Sequence, residues 1–124
     1  FADEEETKAA IRDTYRSTGY VMDTHTAVAA HVCKAYREES KDNRKALIAS
    51  TASPYKFARS VMTAIDQEYD ALDEFALIDE LEKVSQVDVP NAIEEIRNAE
   101  ILHTRECDAD KMKETVKEIL EVEV

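Results

Sequence analysis

Three aliphatic hydroxyls, a proline and a cation stand together in Ser50-Thr51-Ala52-Ser53-Pro54-Tyr55-Lys56-Phe57, directly after the apolar run Leu47-Ile48-Ala49. In α/β proteins, ligands bind outside the carboxyl ends of strands, where helix N-termini offer free N–H groups to anions. Ser50, Thr51 and Ser53 would add hydrogen-bonding groups to such a site, and Lys56 a positive charge one turn in. Ser and Thr are also common helix caps, so the turn alone leaves ligand binding and capping both open. A second segment, Gly19-Tyr20-Val21-Met22-Asp23-Thr24-His25-Thr26-Ala27-Val28-Ala29, puts His25 in the first turn of a helix that Asp23 can cap. There the imidazole can offer a hydrogen bond to a ligand or partner, with capping or packing as the plainer role.

Other chemistry is thinner. Glu100-Ile101-Leu102-His103 has the Glu-x-x-His spacing, but di-metal sites use it twice and on helices, and here it occurs once on an expected strand. His31 and Cys33 are two apart on an expected helix and point in different directions. Cys33 reads as a small apolar residue, and no metal site is expected. The 124 residues carry 16 Lys+Arg against 28 Asp+Glu, a net charge of −12 that opposes both nucleic acid and anionic membrane partners. No stretch approaches the roughly 20 apolar residues that span a bilayer. Two cysteines with no CxxC and no secretory signal ahead of them give the expectation of a reducing, cytoplasmic setting.

The elements that must position these groups are mostly helical. Asp3-Glu4-Glu5-Glu6 opens a first amphipathic helix through Ile11 and Tyr15, and Gly19 ends it. Asp23 starts a second, with Val28, Val32 and Tyr36 on one face and Ala27, Ala29 and Ala30 as a small-residue surface. Lys41-Asp42-Asn43-Arg44 is a polar turn, and residues 45–49 read as a short buried strand. Ser53 caps a helix opened by Pro54, with Phe57, Val61, Met62 and Ile65 inward. Asp73 starts another through Phe75, Ile78, Leu81 and Val84, and a short one begins near Pro90 with Ile93 and Ile96. Residues 101–104 are a second candidate strand, and a last helix from Asp108 carries Met112, Val116, Ile119 and Leu120. The expected fold is α/β: one helix-rich unit over 1–124 with two short parallel strands joined through helical crossovers.

Two strands make a poor sheet, and a chain with one glycine and two prolines that opens on Phe1 reads as a piece cut from something larger. Asp23-Thr24-His25-Thr26-Ala27-Val28-Ala29, then Ser50 through Phe57, then Ile101-Leu102-His103-Thr104-Arg105 and its acidic helix, together resemble the C-terminal part of bacterial threonine synthase. The resemblance implies the fold shared by fold-type II pyridoxal-phosphate enzymes, and conversion of O-phospho-L-homoserine and water to L-threonine and phosphate. It also implies that a neutral hydroxyl faces the cofactor's pyridine nitrogen, with Thr51 the first candidate and Ser50 the second. Lys56 and His25 are the candidates for holding a phosphate or supporting the substrate.

The lysine that bonds covalently to the cofactor belongs to the family's N-terminal half. No residue here is then catalytic, and Lys56, in a solvated first turn, is a poor substitute nucleophile. The piece alone is expected to be inactive, to have the rest of its own polypeptide as partner, and to self-associate through surface left bare. The alternative from another class is a stand-alone acidic helical module that binds a protein partner.

Overall fold

The computed structural model describes residues 1–121. Its elements are α1 (Glu4–Thr18), α2 (Thr24–Ser40), a 3₁₀ turn (Pro54–Phe57) running into α3 (Ala58–Ile65), and a second 3₁₀ turn (Gln67–Ala71). After these come α4 (Glu74–Ser85), α5 (Asn91–Arg97), and a third 3₁₀ turn (Ala109–Lys111) leading into α6 (Met112–Ile119). Local chemistry sets these boundaries. Asp3 and Glu6 form a reciprocal capping box, with Glu6 N–H donating to Asp3 Oδ1 at 2.8 Å and Asp3 N–H to Glu6 Oε2 at 2.9 Å. Asp23 and Asp73 cap α2 and α4 by accepting the N–H groups two and three residues on. Gly19, at φ 75°, closes α1 in the left-handed conformation that costs glycine least.

The core lies where α1 packs on α2 and α3, and α3 on α4. Ile11, Ala27, Val61, Met62, Leu77 and Leu81 are wholly or almost wholly enclosed there. On α2 the buried face is the small one. Ala27 is enclosed and Ala30 partly so against α1, while Val32 and Tyr36 of the expected apolar face are exposed. Small side chains let two helix backbones approach, and that geometry overrides the larger residues' hydrophobicity.

The expected α/β architecture is corrected: among the described residues every regular element is helical and no strand forms. Residues 45–49 and 101–104 are irregular, with Leu47 at 98% exposure and Ile101 and Leu102 at 79% and 77%. Neither run forms a ladder with another segment among the described residues, and without a ladder partner an apolar run has no means of becoming a strand.

A further difference is α6. Its apolar stripe of Met112, Val116, Ile119 and Leu120 is more than half exposed at every position. Among the described elements, it packs substantially only on the turn that leads into it.

Candidate functional site

The N-terminus of α2 and the turn at 50–53 meet around one buried carboxylate. Asp23 is only 1% exposed. Its Oδ1 accepts the backbone N–H groups of His25 at 2.9 Å and Thr26 at 3.1 Å. Its Oδ2 accepts the Thr26 hydroxyl in a short hydrogen bond and the Ser50 hydroxyl at 3.2 Å. Thr26 Oγ1 also lies 2.9 Å from Ser50 Oγ. Burial pushes the Asp23 carboxyl up, but the bonds from the Thr26 hydroxyl, the two backbone N–H groups and Ser50 outweigh it and hold the group below its ordinary value. Asp23 is therefore an anion at neutral pH, enclosed by donors.

The turn is held on its other side as well. Ser53 caps the Pro54–Phe57 turn, accepting Tyr55 N–H at 3.3 Å. Tyr55 is buried and donates its hydroxyl to the Val87 carbonyl just beyond α4. Thr51 thus stands between an anchor at Ser50 and an anchor at Tyr55. It is exposed, and its hydroxyl has no partner among the described residues.

His25 and Lys56 converge on a residue that the sequence reading assigned to the core. The His25 ring is 5.4 Å from the Phe57 ring, tilted by 35°, and Lys56 Nζ lies 5.5 Å from the same ring centre. His25 Nδ1 is 3.6 Å from Asp23 Oδ1. Four sequence candidates, Ser50, Thr51, Lys56 and His25, therefore fall in one neighbourhood, and Asp23 and Phe57 organise it. Asp23 was readable as a cap, but no sequence signal links it to a serine 27 residues away.

Nothing encloses this neighbourhood, since Ser50, Thr51, Ser53, Lys56 and His25 are all exposed. A cleft of about 540 Å³ between the start of α1 and α3 is a different feature. Of its two cations, Lys8 lies 3.5 Å from Glu5 Oε1, and Arg59 is taken by Glu74 at 2.7 Å, Asp70 at 3.3 Å and the Leu72 carbonyl at 2.8 Å. Asp3, Glu4 and Asp70 also line it, which disfavours an anionic ligand there.

Among the described residues no three His, Cys, Asp or Glu side chains gather as metal ligands, and no helix is long and apolar enough to cross a membrane.

Comparison with known proteins covers most of the chain. The family model described as threonine synthase, C-terminal, matches residues 26–120, which include Ser50, Thr51 and Lys56. Threonine synthase of Corynebacterium glutamicum is 33% identical over 90 residues, covering 72% of this chain and 18% of that protein. Threonine synthase-like 1 of Mus musculus is 45% identical over 62 residues, half of this chain and 8% of the relative. The protein of that name from Homo sapiens is 40% identical over 62 residues, with the same coverage. The chain spans less than a fifth of the length of these relatives.

Proposed function

The chain belongs to the threonine synthase C-terminal family, and from that premise we propose that it forms one wall of a pyridoxal-phosphate site in a longer enzyme. The reaction proposed for that enzyme is conversion of O-phospho-L-homoserine and water to L-threonine and phosphate. Bound pyridoxal phosphate supplies an electron-withdrawing ring to the substrate carbons. The donor set here fits one edge of that cofactor. Thr51 offers a neutral hydroxyl, unpaired among the described residues, on a turn open to an incoming ring. The cofactor's phosphate calls for a glycine-rich cradle, and the single glycine of this chain, Gly19, closes α1 instead. This chain therefore orients the ring and leaves the phosphate and the covalent bond to the rest of the polypeptide.

The observation that carries the reading is the unequal treatment of two neighbouring hydroxyls. Ser50 is tied to a buried carboxylate and Thr51 is left free. Thr51 would donate to the ring nitrogen, and Lys56 and His25, both against Phe57, would offer polar groups to the substrate. The rest of the polypeptide packs on Leu47, on Ile101 and Leu102, and on the apolar stripe of α6. Without it the isolated chain self-associates and releases no phosphate from the substrate. A cytoplasmic setting belongs to the same reading.

In the complete polypeptide, Thr51→Val is expected to weaken cofactor binding and lower kcat/KM at least tenfold, about 1.4 kcal/mol, with the melting temperature little changed. Wild-type affinity and turnover in that variant would refute the reading. The bare stripe of α6 favours a second reading, a stand-alone protein-interaction module. Under it, Thr51→Val alters no catalysis, and the purified native protein is colourless.

A further inference from the structure

We infer that Asp23 is a positioning residue for the cofactor contact: its buried carboxylate engages the Ser50 hydroxyl as a donor and so fixes the turn, leaving Thr51 as the hydroxyl free to face a ring nitrogen. The inference rests on the reading of Thr51 given above. Its basis is a count of protons and lone pairs. An ionised carboxylate accepts at about four lone-pair sites and donates at none. Asp23 Oδ1 takes two backbone N–H groups, and Oδ2 takes the hydroxyls of Thr26 and Ser50. The oxygens of Asp23, Thr26 and Ser50 thus share two hydroxyl protons, and both are drawn to the one group that cannot donate.

Ser50 consequently keeps lone pairs but no proton for a ligand. Thr51 keeps its proton, because nothing among the described residues accepts it. The tether is tertiary, since Asp23 and Ser50 are 27 residues apart. Asp23 therefore does two things at once: Oδ1 caps α2, and Oδ2 secures the turn that presents Thr51. A turn already held in place needs no ordering when the ring arrives, and that is how a supporting residue strengthens a contact it does not itself make.

The two roles of Asp23 separate by mutation. Serine caps helices as well as aspartate does, so Asp23→Ser keeps the cap of α2 and removes the second oxygen that holds Ser50. The complete polypeptide is prepared as wild type, Asp23→Ser, Ser50→Ala, Ser50→Thr, Thr51→Val and the double variant Asp23→Ser/Ser50→Ala. Each is titrated with pyridoxal phosphate, reading the dissociation constant and the visible absorption band, with the melting temperature of the cofactor-free protein alongside.

Asp23→Ser and Ser50→Ala are each expected to weaken binding about tenfold and shift the band, with Ser50→Thr restoring both. The double variant should bind no more weakly than either single one, because both remove the same tether. Additive losses, about a hundredfold in the double variant, would overturn the inference. So would wild-type binding in both single variants while Thr51→Val binds weakly. Wild-type binding in Thr51→Val would instead remove the cofactor reading itself. Should Asp23→Ser fail to fold, the contrast between Ser50→Ala and Ser50→Thr decides the matter, and equal binding by those two overturns the inference.

Discussion

Two irregular stretches, 41–53 and 99–108, look alike in sequence and behave differently in the structure. Both contain a short apolar run, both runs are exposed, and neither pairs with another extended segment. The first is nevertheless stitched to the body of the protein. Arg37 of α2 donates to the carbonyls of Asp42 at 3.2 Å and Arg44 at 2.8 Å, and Ser50 is tied to Asp23. Among the described residues, the second has backbone bonds only at its ends, to Ile96 and Lys111, and one long ion pair, Arg105 to Glu118 of α6 at 3.8 Å. The lesson is that polar contacts to a helix can place a loop that its own apolar residues cannot. The placed loop is the one that bears Thr51.

The largest effects are expected in the core and the bare runs. Leu77→Ala, at a fully enclosed position, should cost about 2–5 kcal/mol in denaturant unfolding of this chain. Leu102→Ala should stay within about 0.5 kcal/mol there. In the complete polypeptide Leu102→Ala should cost more than about 1 kcal/mol, because the account buries that side chain against the remainder. Equal costs in the two settings would show that the second stretch stays bare.

Next in size is the Asp23 anchor. Asp23→Ala removes the cap of α2 and leaves the Thr26 and Ser50 hydroxyls without their acceptor, for about 1–3 kcal/mol. Because the folded carboxyl lies below its ordinary value, its contribution is complete above the unfolded value of about 4 and is lost as pH falls through the folded one. Stability measured against pH should therefore show a shallower acid limb in Asp23→Ala than in wild type. Parallel curves would mean that Asp23 gains nothing from its donors.

How much of this was legible in the sequence follows from what each signal depends on. The helix starts at Asp3, Asp23 and Asp73 and the stop at Gly19 were readable, since capping needs only residues two to four positions away. The runs at 45–49 and 101–104 were misread as strands, because apolar character does not reveal whether a partner strand exists. On α2 the small-residue surface of Ala27 and Ala30 was readable as one that another element could approach, whereas the larger Val32 and Tyr36 pointed to a face that is exposed. The turn at 50–53 and its hydroxyls could be picked out in the sequence. The division of work between Ser50 and Thr51 could not, since it depends on a carboxylate remote in the chain.

The smallest expected effect separates the two stretches directly. Arg37→Ala should cost under about 1 kcal/mol overall, yet make the 41–49 segment as sensitive to limited proteolysis as 99–108. Arg105→Ala should change neither stability nor the cleavage pattern measurably. Protection of 41–49 that survives Arg37→Ala would assign the placement of that loop to other contacts.

The most direct test of the central claim, that this chain is one wall of a pyridoxal-phosphate enzyme, is the intact mass and visible absorption spectrum of the native gene product purified from its source. A mass several times 14.1 kDa and the yellow colour of covalently bound pyridoxal phosphate are expected. A colourless protein near 14.1 kDa would contradict it and leave a binding module in its place.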